Sequence, residues 1–446
     1  MRPLVLSFDI NKTIIMRDGG VPVPSMVNSL MSETIWGVVH PSISEEAIKC
    51  EGPECSWQEI GVLDPEFKGN PSDLRPSLDS FTMPNREEFS SKDIMTYDDF
   101  LEKRATSLEK KSRKILKRRF CTHELGPGKR LLDVYNGLLD SLEMPEEGVK
   151  AAREQGILDI FQKDGTRHYY SLVPAFFKVI DTLYTECSKK DAVFDVRILF
   201  RTFGDDLDDV GREYNLYCEG KHPVHKPSGG KTYDGTTPGY VDRRIRLPHF
   251  IGKVKRSQSS ASSEGLYLAH VNHKRDGRTV TLTEGASEVY QMIHQDWFGL
   301  NNEGGGPPLT YSAGIQDDYE YWAANHEDAH AGKIFMVDKI DNQQSALQLF
   351  FDDNIERSHV HIVDVRQPDF TPVDIDAVWT FPNGHDDSEN FFDALTNVLT
   401  LNESVDEYQI AALDSLVKVM PRRIVADENY YVDIVKRYLL RRGIEM

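Results

Sequence analysis

The chain has 446 residues, 39% hydrophobic and 28% charged, an ordinary globular composition that excludes a wholly disordered polymer. Its formal charge of -20 repels phosphate backbones and anionic lipid, so no nucleic-acid or membrane partner is expected. The five cysteines (Cys50, Cys55, Cys121, Cys187, Cys218) are odd in number and lack C-x-x-C spacing. They suggest neither a disulfide framework nor a thiolate zinc site, and a reducing compartment is expected: the cytoplasm, with the nucleus not excluded.

Leu4 to Phe8 is a compact apolar run, the pattern of a strand buried on both faces, and it ends at once in the polar turn Asp9-Ile10-Asn11-Lys12-Thr13. The run is too short for a signal h-region or a membrane span, so it is read as mature structure. Residues 18 to 95 read as loop-rich, with a short helix near Ser42 to Cys50 and little core of their own. Tyr97 to Phe120 reads as helical, its basic portion as a solvated face. Helical patterns follow at Leu131 to Leu142 and Val173 to Cys187.

A second apolar run, Val196 to Phe200, ends in Arg201-Thr202-Phe203-Gly204. Residues 217 to 285 suggest a small β-rich insertion, with Lys255 to Ser263 as a mobile loop. A helix is expected around Ala286 to Phe298, a third strand at Leu309 to Ile315, and helix again over Asp317 to Ala331. Leu347 to Phe351 is another buried-strand pattern tipped by Asp352-Asp353-Asn354, and His359 to Val365 is a further strand. The remainder, from about Asp387 to Met446, reads as amphipathic helices.

Parallel strands would bring the tips at Asp9, Thr202 and Asp352-Asp353 to one edge, where ligands of open α/β sheets gather. Here the chain resembles a family. A first strand followed by D-x-D-x-T, a strand ending in Ser or Thr, a lysine, and a strand ending in an acidic pair is the signature of haloacid-dehalogenase (HAD) phosphohydrolases. The matching residues are Asp9-Ile10-Asn11-Lys12-Thr13, Thr202, a lysine at Lys333 or Lys339 with Lys333 favoured, and Asp352-Asp353.

The resemblance implies an α/β fold: a three-layer, Rossmann-like core with a central parallel sheet, cap-like insertions and C-terminal helices. Residues 1–20 and 170–370 would form the core, 21–169 a loop-rich and helical insertion that could act as a cap, 217–285 a small β-rich insertion, and 371–446 a helical segment packed on the core. It further implies Asp9 as nucleophile toward phosphorus, Thr202 bonding a phosphoryl oxygen and Lys333 stabilising charge. Mg²⁺ would be held by Asp9, the main-chain carbonyl of Asn11, and Asp352 or Asp353. The expected partner is a small phosphorylated molecule in an enclosed site; the oligomeric state is left open.

One position departs from the family pattern. Where the phosphatases carry the acid that protonates the leaving group, this chain has Asn11, and an amide does not exchange protons at neutral pH. The alternatives are slow turnover, phosphoryl transfer, or a ligand- or protein-binding protein that has lost catalysis. A minor rival is His326-Glu327-Asp328-Ala329-His330, a literal H-E-x-x-H that on a helix would suit zinc hydrolysis, although Asp328 is an unusual charged insert and no third ligand follows. Gly229-Gly230-Lys231-Thr232 lacks the first glycine and the preceding strand of a phosphate loop and is set aside.

Overall fold

The computed structural model describes residues 1–16, 20–39, 78–80, 86–124, 126–257, 265–271, 279–300, 307–339, 346–355, 362–375 and 405–446. The first apolar run forms β1 (Arg2–Asp9) at the middle of an eight-stranded sheet. Its partners are β6 (Phe194–Thr202) on one side and β12 (Leu347–Asp352) on the other, both parallel. Beyond β6 lie β10 (Ser312–Gln316) and β7 (Ile251–Arg256), also parallel, and then β8 (Leu266–Val271) and β9 (Val280–Glu284), antiparallel. Outside β12 lies β14 (Leu416–Lys418), parallel.

Strand order places β1 at a reversal: the chain steps outward from β1 to β6 and β10, then returns to β12 on the opposite flank. The crevice outside the carboxyl ends at such a reversal is the usual ligand position in open α/β sheets. In-register pairing sets Phe8 level with Phe200 and Phe351, so Asp9, Thr202 and Asp352 emerge at one edge. Phe8 is fully buried and stacks on Phe351 at 4.7 Å, with Phe176 and Tyr431 edge-on at 5.3 and 5.4 Å. Truncating such a ring to alanine costs about 3–5 kcal/mol, so this aromatic cluster holds the strand tips in register.

Alternation along β1 feeds two cores. Leu4, Leu6 and Phe8 join α6 (Pro174–Glu186), α7 (Leu207–Cys218) and α12 (Tyr430–Arg441) on one face, while Val5 joins Trp297, Phe298 and Ile315 on the other. Helices therefore cover both faces of the sheet. A separate two-stranded parallel sheet pairs β11 (Lys333–Met336) with β13 (Val363–Arg366).

Several sequence expectations change. The stretch read as loop-rich contains α1 (Val23–Thr34), whose Val23, Val27, Leu30 and Met31 sit in the main core beside sheet residues. The proline in its first turn and the preceding glycines resemble loop punctuation, although proline is favoured at a helix start. Tyr97 to Phe120 divides into α2 (Tyr97–Lys103) and α3 (Lys110–Lys117). The β-rich stretch supplies β7 to β9, which extend the main sheet, and Lys255 lies within a strand, not a loop. The expected helix at Asp317 to Ala331 is only α9 (Tyr319–Ala324), and the segment from Ala286 becomes α8 (Ala286–Tyr290) running on as a π-helix over Gln291–Trp297. The C-terminal segment supplies β14 as well as α10 (Glu407–Ser415) and α11 (Pro421–Ala426). The helix expected at Ser42 to Cys50 falls outside the described residues, as does most of Lys255 to Ser263 beyond Ser257. Among the described residues no helix is long and apolar enough to cross a membrane.

Candidate functional site

Asp9 closes β1 with 5% of its surface exposed. The chain then turns sharply: the amides of Ile14 and Ile15 both donate to the Ile10 carbonyl at 3.0 Å, and Lys12 adopts a φ of 56°. Such a left-handed residue is costly unless its surroundings hold it, and the Lys12 ammonium is anchored to Glu33 of α1 at 2.9 Å. The helix missed in the sequence thus braces the turn that follows Asp9.

Lys333 opens β11 with 1% exposure. Its ammonium donates to Asp9 Oδ1 and, at 2.7 Å, to Asp352 Oδ2. Two devices place it. A Cβ on Gly332 would lie 2.2 Å from the Ile362 carbonyl oxygen, so only glycine lets β11 approach closely enough for the Lys333 amide to reach that carbonyl at 2.6 Å. Arg201, the residue before Thr202, grips Asp317 with two nitrogens and donates from a third to the Ile334 carbonyl at 3.0 Å, tying β11 to β6 and β10. Lys339, the alternative lysine, is exposed and pairs with Glu407 at 2.9 Å, away from Asp9.

Oxygens of Asp9, Asp352 and Asp353 lie within 4.8 Å of one another, the one group among the described residues that could hold a metal ion. Asp352 Oδ1 accepts from the Asn354 amide at 2.9 Å, so both its oxygens are engaged. Burial pushes the Asp9 carboxyl up to about 7, with Lys333 opposing the shift and Asp352 adding to it. Burial raises Asp353 well above the ordinary carboxylate range despite the nearby Lys12. Burial is the main cause of both shifts, and three carboxylates facing one buried ammonium leave an excess of negative charge at the strand tips. Such a set suits a hard divalent cation with oxygen ligands. In the turn after Asp9, Asn11 Oδ1 and Thr13 Oγ1 are buried without hydrogen-bond partners among the described residues.

Thr202, fully buried, ends β6 and accepts from the Gly204 amide at 2.9 Å through Oγ1, which leaves its own O–H to donate. The Asn11 side chain reaches the residue before α7. Its Nδ2 donates to Asp206 Oδ2 at 3.2 Å. A Cβ on Gly204 would lie 2.8 Å from that oxygen, 3.4 Å from Thr202 Oγ1 and 3.5 Å from Asn11 Nδ2, so these groups crowd one point. Asp206 and Gly204 were not singled out as site residues from sequence. The signal was faint: an acidic residue four positions past a strand-end threonine, just before α7.

The H-E-x-x-H segment lacks the helix its chemistry requires. Helix α9 stops at Ala324, and His326 and Glu327 take φ of 60° and 62°. The two imidazoles therefore do not share a helical face, and His330 instead lies 4.0 Å from Asp364. Trp322 stacks on Phe203 at 5.2 Å, and the Lys333 ammonium sits 5.1 Å from the centre of the Phe203 ring, so these aromatics form an apolar wall beside the lysine. Gly229 to Thr232 likewise forms no phosphate loop; Lys231 donates to Thr185. Among the basic residues of α3, Arg113 and Lys117 pair with Glu102 at 3.1 and 2.8 Å, while Lys110, Lys111 and Lys114 are exposed.

Comparison of the chain with protein-family models, with curated proteins and with solved structures gave no match.

Proposed function

We propose that the chain is a HAD-like phosphoryl hydrolase or transferase acting on a small phosphorylated molecule through an aspartyl-phosphate on Asp9. The observation that carries the reading is the meeting of Asp9, Lys333 and Asp352-Asp353 at the sheet's reversal point, in the motif order of that family, with Lys333 bonded to both Asp9 and Asp352. Thr202 ends the neighbouring strand.

In the first step an Asp9 oxygen attacks phosphorus, a P–O bond forms to the carboxylate, and the bond to the leaving oxygen breaks as that oxygen takes up a proton. In the second, water attacks phosphorus, the bond to Asp9 breaks, and inorganic phosphate leaves; for a transferase an acceptor hydroxyl replaces water. The Thr202 hydroxyl donates to a phosphoryl oxygen. Lys333 holds Asp9 in place and offsets negative charge gathering on the phosphoryl group. Mg²⁺ bound by Asp9, Asp352 or Asp353 and the Asn11 main-chain carbonyl would supply neutralisation between two anions that must approach.

Asn11 cannot move protons, but it presents Asp206. We assign the proton transfers to this carboxylate, which reaches the catalytic edge from the start of α7 instead of from the turn after β1. A second reading, a phosphate-ligand binder without turnover, is favoured only by the Asn11 amide. The test is Mg²⁺-dependent phosphate release from para-nitrophenyl phosphate and a panel of metabolite phosphates, wild type against Asp9→Asn. Release that disappears in the variant supports the nucleophile. Silence of both proteins, with phosphate ligands still binding, establishes the second reading. The proposed setting is the cytoplasm.

A further inference from the structure

Beside the catalytic edge runs a groove of about 440 Å³ between the start of α7 and the outer strands β7 to β9. Gly204 and Gln316 form the rim it shares with the site. The register fixes its distance: Thr202 is level with Gln316, and Gln316 with Lys253. At about 4.8 Å between neighbouring strands, Lys253 stands roughly 10 Å from Thr202 across the sheet. Gln316 Nε2 donates to Asp205 Oδ1 at 2.7 Å, so the loop after Thr202 is tied to the strand between them.

Alternation identifies the groove face. Gly314 faces Leu207 and Ile251, so Gln316 and its partner Lys253, two residues on, share that face with α7. The floor is aliphatic, with Ile251, Val271 and Val280, the last 65% exposed. Above it stand Asp205, Asp208 and Lys253. Asp208 and Lys253 are exposed and form no ion pair among the described residues, although they border one groove. No Phe, Tyr or Trp lines it among the described residues, and its ring-bearing residue, His270, is 4% exposed with the imidazole 5.7 Å from the Trp297 ring, so the groove offers no exposed ring on which a nucleobase could stack.

Resting on the phosphoryl-transfer reading, we propose that this groove is the subsite for the organic part of the substrate, and that it takes a sugar-sized phosphate monoester bearing hydroxyl and amino groups. Its volume falls in the range of small-ligand sites. With the phosphoryl group at Asp9 and Thr202, a six-carbon skeleton spans the gap to Lys253. An ammonium meets the carboxylates of Asp205 and Asp208, and hydroxyls accept from Lys253. Two carboxylates against one lysine select against a second phosphate on the ligand.

The experiment is steady-state kinetics of the full chain with Mg²⁺ on glucosamine 6-phosphate, glucose 6-phosphate, adenosine monophosphate and para-nitrophenyl phosphate, for wild type, Asp208→Ala and Lys253→Ala. Both side chains are exposed, so folding is not at stake. Glucosamine 6-phosphate should have the highest kcat/KM of the three metabolites. Each variant should lower the ratio of its kcat/KM to that of para-nitrophenyl phosphate by about tenfold, mainly through KM, as expected when a site loses a polar group that pairs with substrate. An unchanged ratio with intact para-nitrophenyl phosphate turnover, or a preference for adenosine monophosphate, overturns the subsite and leaves the phosphoryl-transfer reading standing. Absence of turnover on all four compounds by wild type removes both.

Discussion

Lys333 donates to Asp9 across 324 positions of the chain, and the same ammonium reaches Asp352. A buried cation shared by two buried carboxylates is the electrostatic keystone of the strand tips. Removing it as Lys333→Met leaves the carboxylates uncompensated, which for a broken buried pair costs about 3–5 kcal/mol. Chemical denaturation should register that loss, and Mg²⁺ should restore part of it by occupying the carboxylate cluster. A variant as stable as wild type in chelator would show that the carboxylates are not held charged by this lysine.

Asn11 and Asp206 exchange one hydrogen bond, so their roles can be swapped. Asp206→Asn should slow release from alkyl phosphates by about 100-fold, the lower end of general acid-base assistance, and affect para-nitrophenyl phosphate far less because its leaving group needs no proton. The double variant Asn11→Asp with Asp206→Asn should recover much of the alkyl-phosphate rate. Equal losses on both substrates would assign Asp206 a purely structural part.

Gly204 is required by space, since a methyl group there would lie 2.8 Å from Asp206 Oδ2. Gly204→Ala should therefore displace the Asp206 side chain, which can swing aside, with little loss of stability. The measurement is kcat on alkyl phosphates beside the melting temperature: a fall in rate of about tenfold or more at unchanged stability is expected from misplacing a catalytic group. An unchanged rate would mean that the position of Asp206 is immaterial.

Four buried groups set a pH window away from the site. Burial lowers His222, His225 and His294 to about 3, while burial raises Glu213, which contacts His222 at 3.2 Å, to about 8. The histidines bind a proton in the unfolded chain below about 6.5 but not in the fold, so their contribution falls as pH drops from 6.5 toward 3. Glu213 keeps its proton in the fold while the unfolded carboxyl loses it above about 4.5, so its contribution falls as pH rises from 4.5 toward 8. Together they place a maximum near pH 6.5, and Glu213→Gln should flatten the alkaline limb of melting temperature against pH. An alkaline limb unchanged in that variant would show that Glu213 is ionised in the fold.

The strands that carry the site were legible because each is a short apolar run ending in a polar tip. Leu4 to Asp9, Val196 to Thr202 and Leu347 to Asp352 emerge as β1, β6 and β12. Helix α1 was masked by its glycine and proline neighbours, and the H-E-x-x-H segment looked helical because composition does not register the left-handed turn at His326 and Glu327. Asp206 was hidden for a different reason: nothing local marks one aspartate among Asp205, Asp206, Asp208 and Asp209.

By itself the sequence determined the buried strands, their polar tips and the acidic balance of the chain, because periodicity and charge are local quantities. Which lysine meets Asp9, which carboxylate meets Asn11, and that β7, β8 and β9 extend the main sheet were decided only by tertiary structure. Those facts depend on strand order and register, which arise when distant segments bury their apolar faces against one another.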